Sequence, residues 1–562
     1  MRWEISPADR VVVTRLGREV GVSELLARLL VLRGLEEPEA AERFLHPSLE
    51  HLHDPYRMAD MPAAVARLRQ AIEQKERILI YGDYDVDGTM AVVVLLTALR
   101  SLGASVDAYI PHRLTDGYGM RVPVIEQAHA GGYRVVLSVD TGIREHDVLE
   151  RARELGLDCI VTDHHLPKDH LPPACAILNP RRPDCAYPEK NLSGVGVAFK
   201  LAQALLAERL TERQLESYLK IVCLGTIADV VPLVGENRVI ARFGLAGLRD
   251  PAQPGLAALI AVASLAGRKV TTGDVGFRLA PRLNAAGRME DARDVIELFM
   301  TSDPARARAL ADRLDGLNRE RQRVEEQILA AIEEEMDRRP EKAERYTLVF
   351  SGEGWHRGVI GIVAQRVVDR YRRAALVIGV ENDAGVGSGR SIRGFHLLEA
   401  LTQAGDLFDR YGGHAQAAGF AMAAGRIPEL EARFEQHARA VLAPEDLEPA
   451  LRIDAEAGLG ELDWELYEEL SQLEPFGFGN PTPVWAARGV RVLAPPRVLK
   501  EKHLRLRVTQ GASAFDALGW GMADRSLELR AGDNLDLAFT LDENCYQGER
   551  TLQLVVKDFC VG

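Results

Sequence analysis

The sequence predicts a multidomain α/β protein with a parallel-sheet core, a second α/β region joined to it by a long helix, and a small C-terminal β-barrel. Three observations lead there. At about 100–200 residues per domain, a chain of 562 residues that is 47% hydrophobic and 27% charged has material for several cores. Between residues 77 and 162, short β-rich runs alternate with helical segments, the pattern of a parallel sheet covered on both faces. From Pro304 to Arg339 the chain is charged and free of glycine after Gly316, and Ile328, Ala331, Ile332 and Met336 recur at helical spacing.

Taken in order, residues 1–75 read as a helical segment: Val22 to Leu35 has helical apolar spacing, and a Pro-containing stretch follows from His46 to Pro62. Residues 76–300 form the core. Strands are expected at Arg77–Tyr81, Val106–Ile110, Val135–Val139 and Cys159–Thr162, with helices at Met90–Leu102, around Ile125 and at Glu145–Leu155, then a mostly helical extension from residue 195. Residues 301–340 are the connecting helix, 341–443 the second α/β region, and 444–562 the barrel, with strands that include His503–Val508 and Leu552–Val556.

The formal charge of −14 argues at first against a nucleic-acid partner, but the charge is unevenly placed. Pro444 to Glu474 carries eleven acidic residues against one Arg, whereas Arg488 to Val508 carries seven basic residues against Glu501. A polyanion partner therefore stays open. Six cysteines without a Cys-x-x-Cys pair exclude a disulfide framework and a structural zinc site. No apolar run reaches the roughly 18 residues of a membrane span; Ala91 to Leu96 is followed by Thr97 and Arg100. The opening Met1-Arg-Trp-Glu-Ile-Ser6 lacks an apolar stretch behind a basic head, so we expect a cytoplasmic protein with no membrane partner.

The chemistry concentrates where apolar elements end. Arg77–Tyr81 runs into Gly82-Asp83-Tyr84-Asp85-Val86-Asp87-Gly88, and alternation would set the three carboxylates on one side of a turn at the C-terminal end of a strand. An EF-hand reading fails: the twelfth position is Val94 instead of Glu, and a strand precedes the motif. Val135–Val139 ends in Asp140, Cys159–Thr162 in Asp163-His164-His165, and the apolar run Cys223–Ala228 in Asp229. A single Asp at such an end is commonly a cap or turn residue. Four converging ends would crowd like charges into one cleft, which bound cations make tolerable. Carboxylates with imidazole and no thiolate favour manganese or magnesium, and two such ions suit phosphate-ester hydrolysis. No Gly-x-x-x-x-Gly-Lys loop supports a P-loop nucleotidase.

Asp85-x-Asp87, Asp140, Asp163-His164-His165 and Asp229 resemble, in order and spacing, the four motifs of the DHH phosphoesterase superfamily. Gly387-Ser-Gly-Arg390-Ser391 and Gly412-Gly-His414-Ala-Gln-Ala-Ala418-Gly resemble its partner domain, of DHHA1 type. Within the superfamily, residues 82–88, Pro281-Arg-Leu-Asn-Ala-Ala-Gly-Arg288, Trp355–Gly361 and Leu473-Glu-Pro-Phe-Gly-Phe-Gly-Asn-Pro481 are similar to the bacterial exonuclease branch that degrades single-stranded DNA from 5′ to 3′. The likeness runs from about Pro55 to the C-terminus. It implies that Asp87, Asp140, His164 and Asp229 hold one of two divalent cations, Mn2+ or Mg2+, and that Asp85 and Asp140 hold the other. Tyr81 stands where the pyrophosphatase branch has a His, so Asp83 is expected to complete the ligand set of the ion that Asp85 holds. His165 would face the substrate phosphate, and Asp163 would orient a ligand. The resemblance also implies single-stranded DNA as partner, with a single-strand-binding protein and a RecQ-type helicase, and a monomeric repair enzyme.

On the substrate side, Gly-rich turns beside Arg and His suit phosphate, which makes Arg390, Ser391 and His414 candidates for gripping the nucleotide backbone. Arg282, Asn284 and Arg288 are expected along the strand's route, and Tyr118 as a ring that stacks on a base. The C-terminal barrel resembles an OB-fold whose basic residues, with Arg505 and Arg507 on one strand face, track the backbone. Phe476 and Phe478 read as anchors, and Trp520 as either a stacking ring or a core residue, with core favoured. An alternative within the superfamily is a phosphodiesterase of oligoribonucleotides or cyclic dinucleotides, which would need neither the basic barrel nor the Pro281–Arg288 segment. A metal-free binding scaffold is disfavoured by the near-complete ligand set.

Overall fold

The computed structural model describes all residues except Leu114, Thr115, Tyr118 and Gln547. Contacts gather the chain into two compact units: Met1–His53, Val230–Arg242 and Ala450–Gly562 form one, and Asp54–Asp229 with Phe243–Pro449 the other.

The second of these holds a five-stranded all-parallel sheet in the order Ser105–Tyr109, Arg77–Tyr81, Tyr133–Val139, Asp158–Thr162, Ala176–Leu178. The first strand in sequence lies between the second and third, so the chain switches direction across the sheet beside Tyr81 and Val139. Open α/β sheets bind ligands outside the strand ends at such a point. The helix Val86–Ser101 starts there, capped by Asp85, whose carboxylate accepts from the Gly88 N–H at 3.0 Å. It is apolar all round because it packs against two further helices, Gly194–Leu206 and Glu212–Ala228, as well as the sheet. The four strands read from the sequence agree with the structure to within two residues at each end.

The long helix spans Pro304–Arg338 and is capped by Asp303. Ala307, Leu310, Ala311 and Leu314 bury against the helices Pro254–Val262 and Ala280–Met289, while Ile328 and Ile332 enter the core of the second α/β region. That region is a five-stranded mixed sheet in the order Arg410–Gly413, Ala417–Ala423, Ala384–Arg390, Ala374–Glu381, Thr347–Glu353.

In the other unit, Trp485–Val492, Asn534–Tyr546, Glu549–Val561, Ser513–Gly519 and His503–Gln510 pair in turn, and the last pairs back with the first at Val492 and Val508. This closes a five-stranded barrel, the OB architecture. Leu504, Leu506 and Val508 point inward and Arg505 and Arg507 outward. The N-terminal residues are not helical throughout. Arg2–Ile5 is a strand that pairs in parallel with Ala450–Ile453, and Leu16, Leu26, Leu30 and Phe44 share one hydrophobic core with the barrel. Four residues with a partner this far along the chain leave no local pattern. No helix among the described residues is long and apolar enough to cross a membrane.

Candidate active site

At the switch point the chain brings seven acidic and histidine side chains together: Asp83, Asp85, Asp87, Asp140, His164, His165 and Asp229. His164 Nε2 lies 3.2 Å from Asp140 Oδ1, 3.6 Å from Asp229 Oδ2 and 3.8 Å from Asp87 Oδ2. Asp87, His164 and Asp229 present ligand atoms within 4.8 Å of one another, and so do Asp83, Asp85 and Asp140. A third set, Asp140, His164 and His165, overlaps the first at His164 and the second at Asp140.

Each carboxylate arrives by a different local device. Asp83 is in the loop after the first strand, Asp85 caps the following helix and Asp87 is in that helix's first turn, so it is the turn into a helix that separates the three, not strand alternation. Asp87 accepts N–H bonds from Gly194 at 2.6 Å and Val195 at 2.9 Å, at the start of the helix Ser193 caps. Asp140 follows its strand in the left-handed region at φ 58°, which short polar residues tolerate. A Cβ at Gly194 would sit 2.5 Å from Asp140 Oδ1, so only glycine fits beneath that carboxylate. Asp229 comes from the C-terminal end of the helix Glu212–Ala228 and not from a strand.

The electrostatics are those of a buried cluster of like charges. Burial first, and the neighbouring carboxylates second, push Asp87 up to about 7 and Asp229 up to about 9, and raise Asp140 and Asp83 well above the ordinary carboxylate range. Burial and the charge on His165 press His164 down to about 3, so it is neutral and a competent ligand. Asp140 Oδ1 is buried with no hydrogen-bond partner. A buried, unpartnered carboxylate oxygen facing a neutral imidazole fits a divalent cation.

Asp163 differs from these. Burial opposes its ionisation, but the His165 ring at 2.7 Å and the N–H groups of Ile143, His164 and His165 outweigh it and hold the carboxyl down to about 2. The same contact overcomes the desolvation of His165 and raises its pKa, which favours the protonated ring. Tyr81 is buried behind the site, with its hydroxyl donating to Gly119 O at 3.2 Å.

Around the cluster stands a cationic rim. Arg288 is held down to about 9 by burial and by Arg113, Arg321 and Arg390; burial and Arg113 lower Arg390 as well. Arg288 donates to Gly358 O at 3.1 Å and Arg390 to Gly389 O at 2.8 Å. His414 is exposed, and burial of its ring edge with the charge of Arg390 lowers its pKa. Other expected substrate residues are engaged elsewhere. Arg282 pairs with Asp315 at 2.9 Å; Asn284 accepts from the Val86 N–H at 3.2 Å and so steadies the helix that carries Asp85 and Asp87; the Ser391 hydroxyl donates to Phe395 O at 2.6 Å. Tyr118 lies outside the described residues. Arg505 and Arg507 both face Asp516, at 3.3 and 3.4 Å. Trp520 is not a core residue: it is 58% exposed, edge-on to His503. Phe476 packs on the barrel core, whereas the Phe478 ring is exposed. Sequence reasoning missed Arg113, whose loop it noted only for Tyr118, and Gly194, for which Ser193-Gly-Val-Gly196 at a helix start was the available signal.

Three family models match the chain: the DHH family N-terminal domain at residues 77–226, the DHHA1 domain at 344–440 and the RecJ OB domain at 453–558. The single-stranded-DNA-specific exonuclease RecJ of Bacillus subtilis is 38% identical over all of this chain and 71% of its own length. Among solved structures, RecJ from Thermus thermophilus in complex with Mn2+ superposes with a TM-score of 0.85 at 32% identity, covering 100% of this chain and 79% of that one. Its complex with Mg2+ gives 0.78 at 29% identity, over 99% and 78%.

Proposed function

The chain belongs to the RecJ family, and from that premise we propose that it is a single-stranded-DNA-specific 5′ to 3′ exonuclease that uses two divalent cations. The observation that carries this reading is the buried oxygen-rich cluster around the unpartnered Asp140 Oδ1. Asp87, Asp140, His164 and Asp229 would hold one ion, and Asp83, Asp85 and Asp140 the other; the sets Asp87, His164, Asp229 and Asp83, Asp85, Asp140 support that division, and a third set joins His165 to Asp140 and His164. Manganese or magnesium bound there supplies a lowered pKa for water and neutralises charge that develops on the phosphate.

The chain's own groups do the rest. His165, whose protonated form the Asp163 contact favours, donates to a phosphate oxygen and so stabilises the charge that grows in the transition state. Asn284 and the Gly194 and Val195 N–H groups fix the carboxylates before substrate arrives. Arg113, Arg288, Arg390 and His414 grip the nucleotide backbone, and Tyr118 stacks on a base. Arg505 and Arg507 of the barrel add sequence-independent affinity. The five segments at 1–75, 76–300, 301–340, 341–443 and 444–562 divide these tasks. Family membership supports a monomeric, cytoplasmic repair enzyme acting with a single-strand-binding protein and a RecQ-type helicase.

The test is digestion of 5′- and 3′-labelled single and blunt duplex DNA with Mn2+ and with Mg2+. Mononucleotides should come processively from the 5′ end of single strands. Equal rates on blunt duplex without a helicase would overturn the reading.

A further inference from the structure

Arg113 feels charges of both signs. Burial lowers the pKa values of Arg288 and Arg390, and the charge of Arg113 lowers both further; burial and Asp85 raise Asp83, and Arg113 opposes that rise. The attraction to Asp83 fades when that carboxyl is neutral, whether by its own proton or by a bound cation, while the repulsion from two arginines stays. A neutral group is needed to hold Arg113 in place. The Tyr84 ring is such a group: the Arg113 guanidinium carbon lies 5.0 Å from its centre, inside the roughly 6 Å over which an aromatic face attracts a cation. Burial first, and the Asp83 charge second, push the Tyr84 hydroxyl up to about 12, so the ring stays uncharged. Both partners are held from behind. Tyr84 lies in the loop between Arg77–Tyr81 and the helix Val86–Ser101, and a Cβ at Gly287 would meet Tyr84 O at 2.6 Å and Tyr84 Cβ at 3.3 Å. Glycine at 287 is thus the condition for the helix Ala280–Met289 to close on that loop. Arg113 follows the strand Ser105–Tyr109. There the Asp116 carboxylate accepts from the His112 N–H at 2.7 Å and the Tyr109 hydroxyl at 3.3 Å, and the Asp116 N–H donates to His112 O at 2.8 Å, which ties the chain on both sides of Arg113.

We propose that Tyr84 is a positioning residue for substrate binding: its ring face holds the Arg113 guanidinium beside Arg288 and Arg390, where the three close on one phosphate backbone. Tyr84 acts through Arg113 and supplies neither a metal ligand nor a proton. A guanidinium laid on an aromatic face keeps its N–H edge free for phosphate oxygens, whereas a carboxylate partner would occupy that edge. The loop that presents Asp83 and Asp85 to the cluster therefore also carries the support for a cation that meets the substrate. The inference rests on the reading that Arg113 grips the nucleotide backbone, so the test includes Arg113 itself as its control.

The experiment uses the full chain and measures three things: binding of a labelled single-stranded oligodeoxynucleotide by anisotropy without metal, steady-state cleavage with Mn2+, and Mn2+ affinity by calorimetry without DNA. Tyr84→Leu should weaken DNA binding and raise KM about tenfold, within the range for a cation–π contact. Its kcat and Mn2+ affinity should stay unchanged, the pattern of a contact made equally in ground and transition states. Tyr84→Phe keeps the ring face and should bind and cleave as the unaltered protein does. Arg113→Ala should weaken DNA binding at least as much as Tyr84→Leu, and the double variant should be no weaker than Arg113→Ala, because the two residues act through one contact. A ring that met a base by itself would give additive losses. If Tyr84→Leu fails to fold, Tyr84→Met, an unbranched chain that fills irregular gaps, replaces it with the same expectation. Unchanged DNA affinity in that variant, an equal loss in Tyr84→Phe, additive losses, or a parallel fall in Mn2+ affinity overturns the positioning role. Arg113→Ala separates the two readings. If it leaves DNA affinity intact, Arg113 does not meet the substrate and the premise itself falls. If it weakens affinity while Tyr84→Leu does not, the role of Tyr84 alone is wrong.

Discussion

Asp87, Asp140 and His164 expose 1%, 4% and 9% of their side chains, whereas Arg505 and Arg507 on the barrel expose 49% and 47%. Both regions gather charges of one sign, and burial decides what that means. Two like charges about 4 Å apart repel by about 1 kcal/mol in water and by about 4 kcal/mol at an effective dielectric of 20. The buried cluster therefore needs a counter-charge to exist in its ionised form, while the barrel face is content with solvent and the shared Asp516. A single side chain should matter greatly in the first region and little in the second.

Four measurements bear on that contrast, ordered by expected effect. Asp140→Ala should lower the hydrolysis rate at least about a thousandfold, a barrier about 4 kcal/mol higher, with far-UV circular dichroism unchanged. A folded variant with full turnover would break the comparison at its strongest point. His165→Ala should cost about a hundred- to a thousandfold in rate, the range for one lost oxyanion donor, while calorimetric Mn2+ affinity stays near that of the unaltered protein. If metal binding collapses instead, His165 is a ligand. Chelation should destabilise the cluster's unit: ligand at a hundred times its Kd adds about 2.7 kcal/mol, so thermal unfolding with and without excess Mn2+ should differ, and Asp140→Ala should remove most of the difference. Equal midpoints in the unaltered protein would mean that the carboxylates carry no counter-ion. Last, Arg505→Ala with Arg507→Ala should flatten the slope of log affinity against log salt by about one to two units, at about 0.7 per phosphate contact. Single-turnover cleavage of a very short oligonucleotide should barely change. A large drop in that cleavage rate would put the barrel arginines in the chemistry.

The parts of the molecule that were legible in the sequence are those that local chemistry determines. Arg77–Tyr81 shows itself as an unbroken apolar run, and Asp85, Asp140 and Asp229 stand out because each ends such a run. What was not legible depends on partners far along the chain. That Arg282 would meet Asp315, that Asn284 would meet Val86, and that Ser391 would turn its hydroxyl back on Phe395 cannot be read from spacing. Of the two readings open for Trp520, the favoured core one fails, because the residue follows Gly519 at the end of a barrel strand and swings outward onto His503.

The strand Arg2–Ile5 has a consequence for synthesis. Its partner, Ala450–Ile453, leaves the ribosome some 450 residues later, which at about 5–20 residues per second is roughly half a minute to a minute and a half. Through that interval the helices Arg10–Val20 and Glu24–Leu32 hold Leu16, Leu26 and Leu30 without the barrel residues that cover them in the finished protein. Arg2–Ile5 is thus translated long before it can reach its final place, and an early stop anywhere before residue 450 leaves the apolar faces of these helices for chaperones and proteases to find.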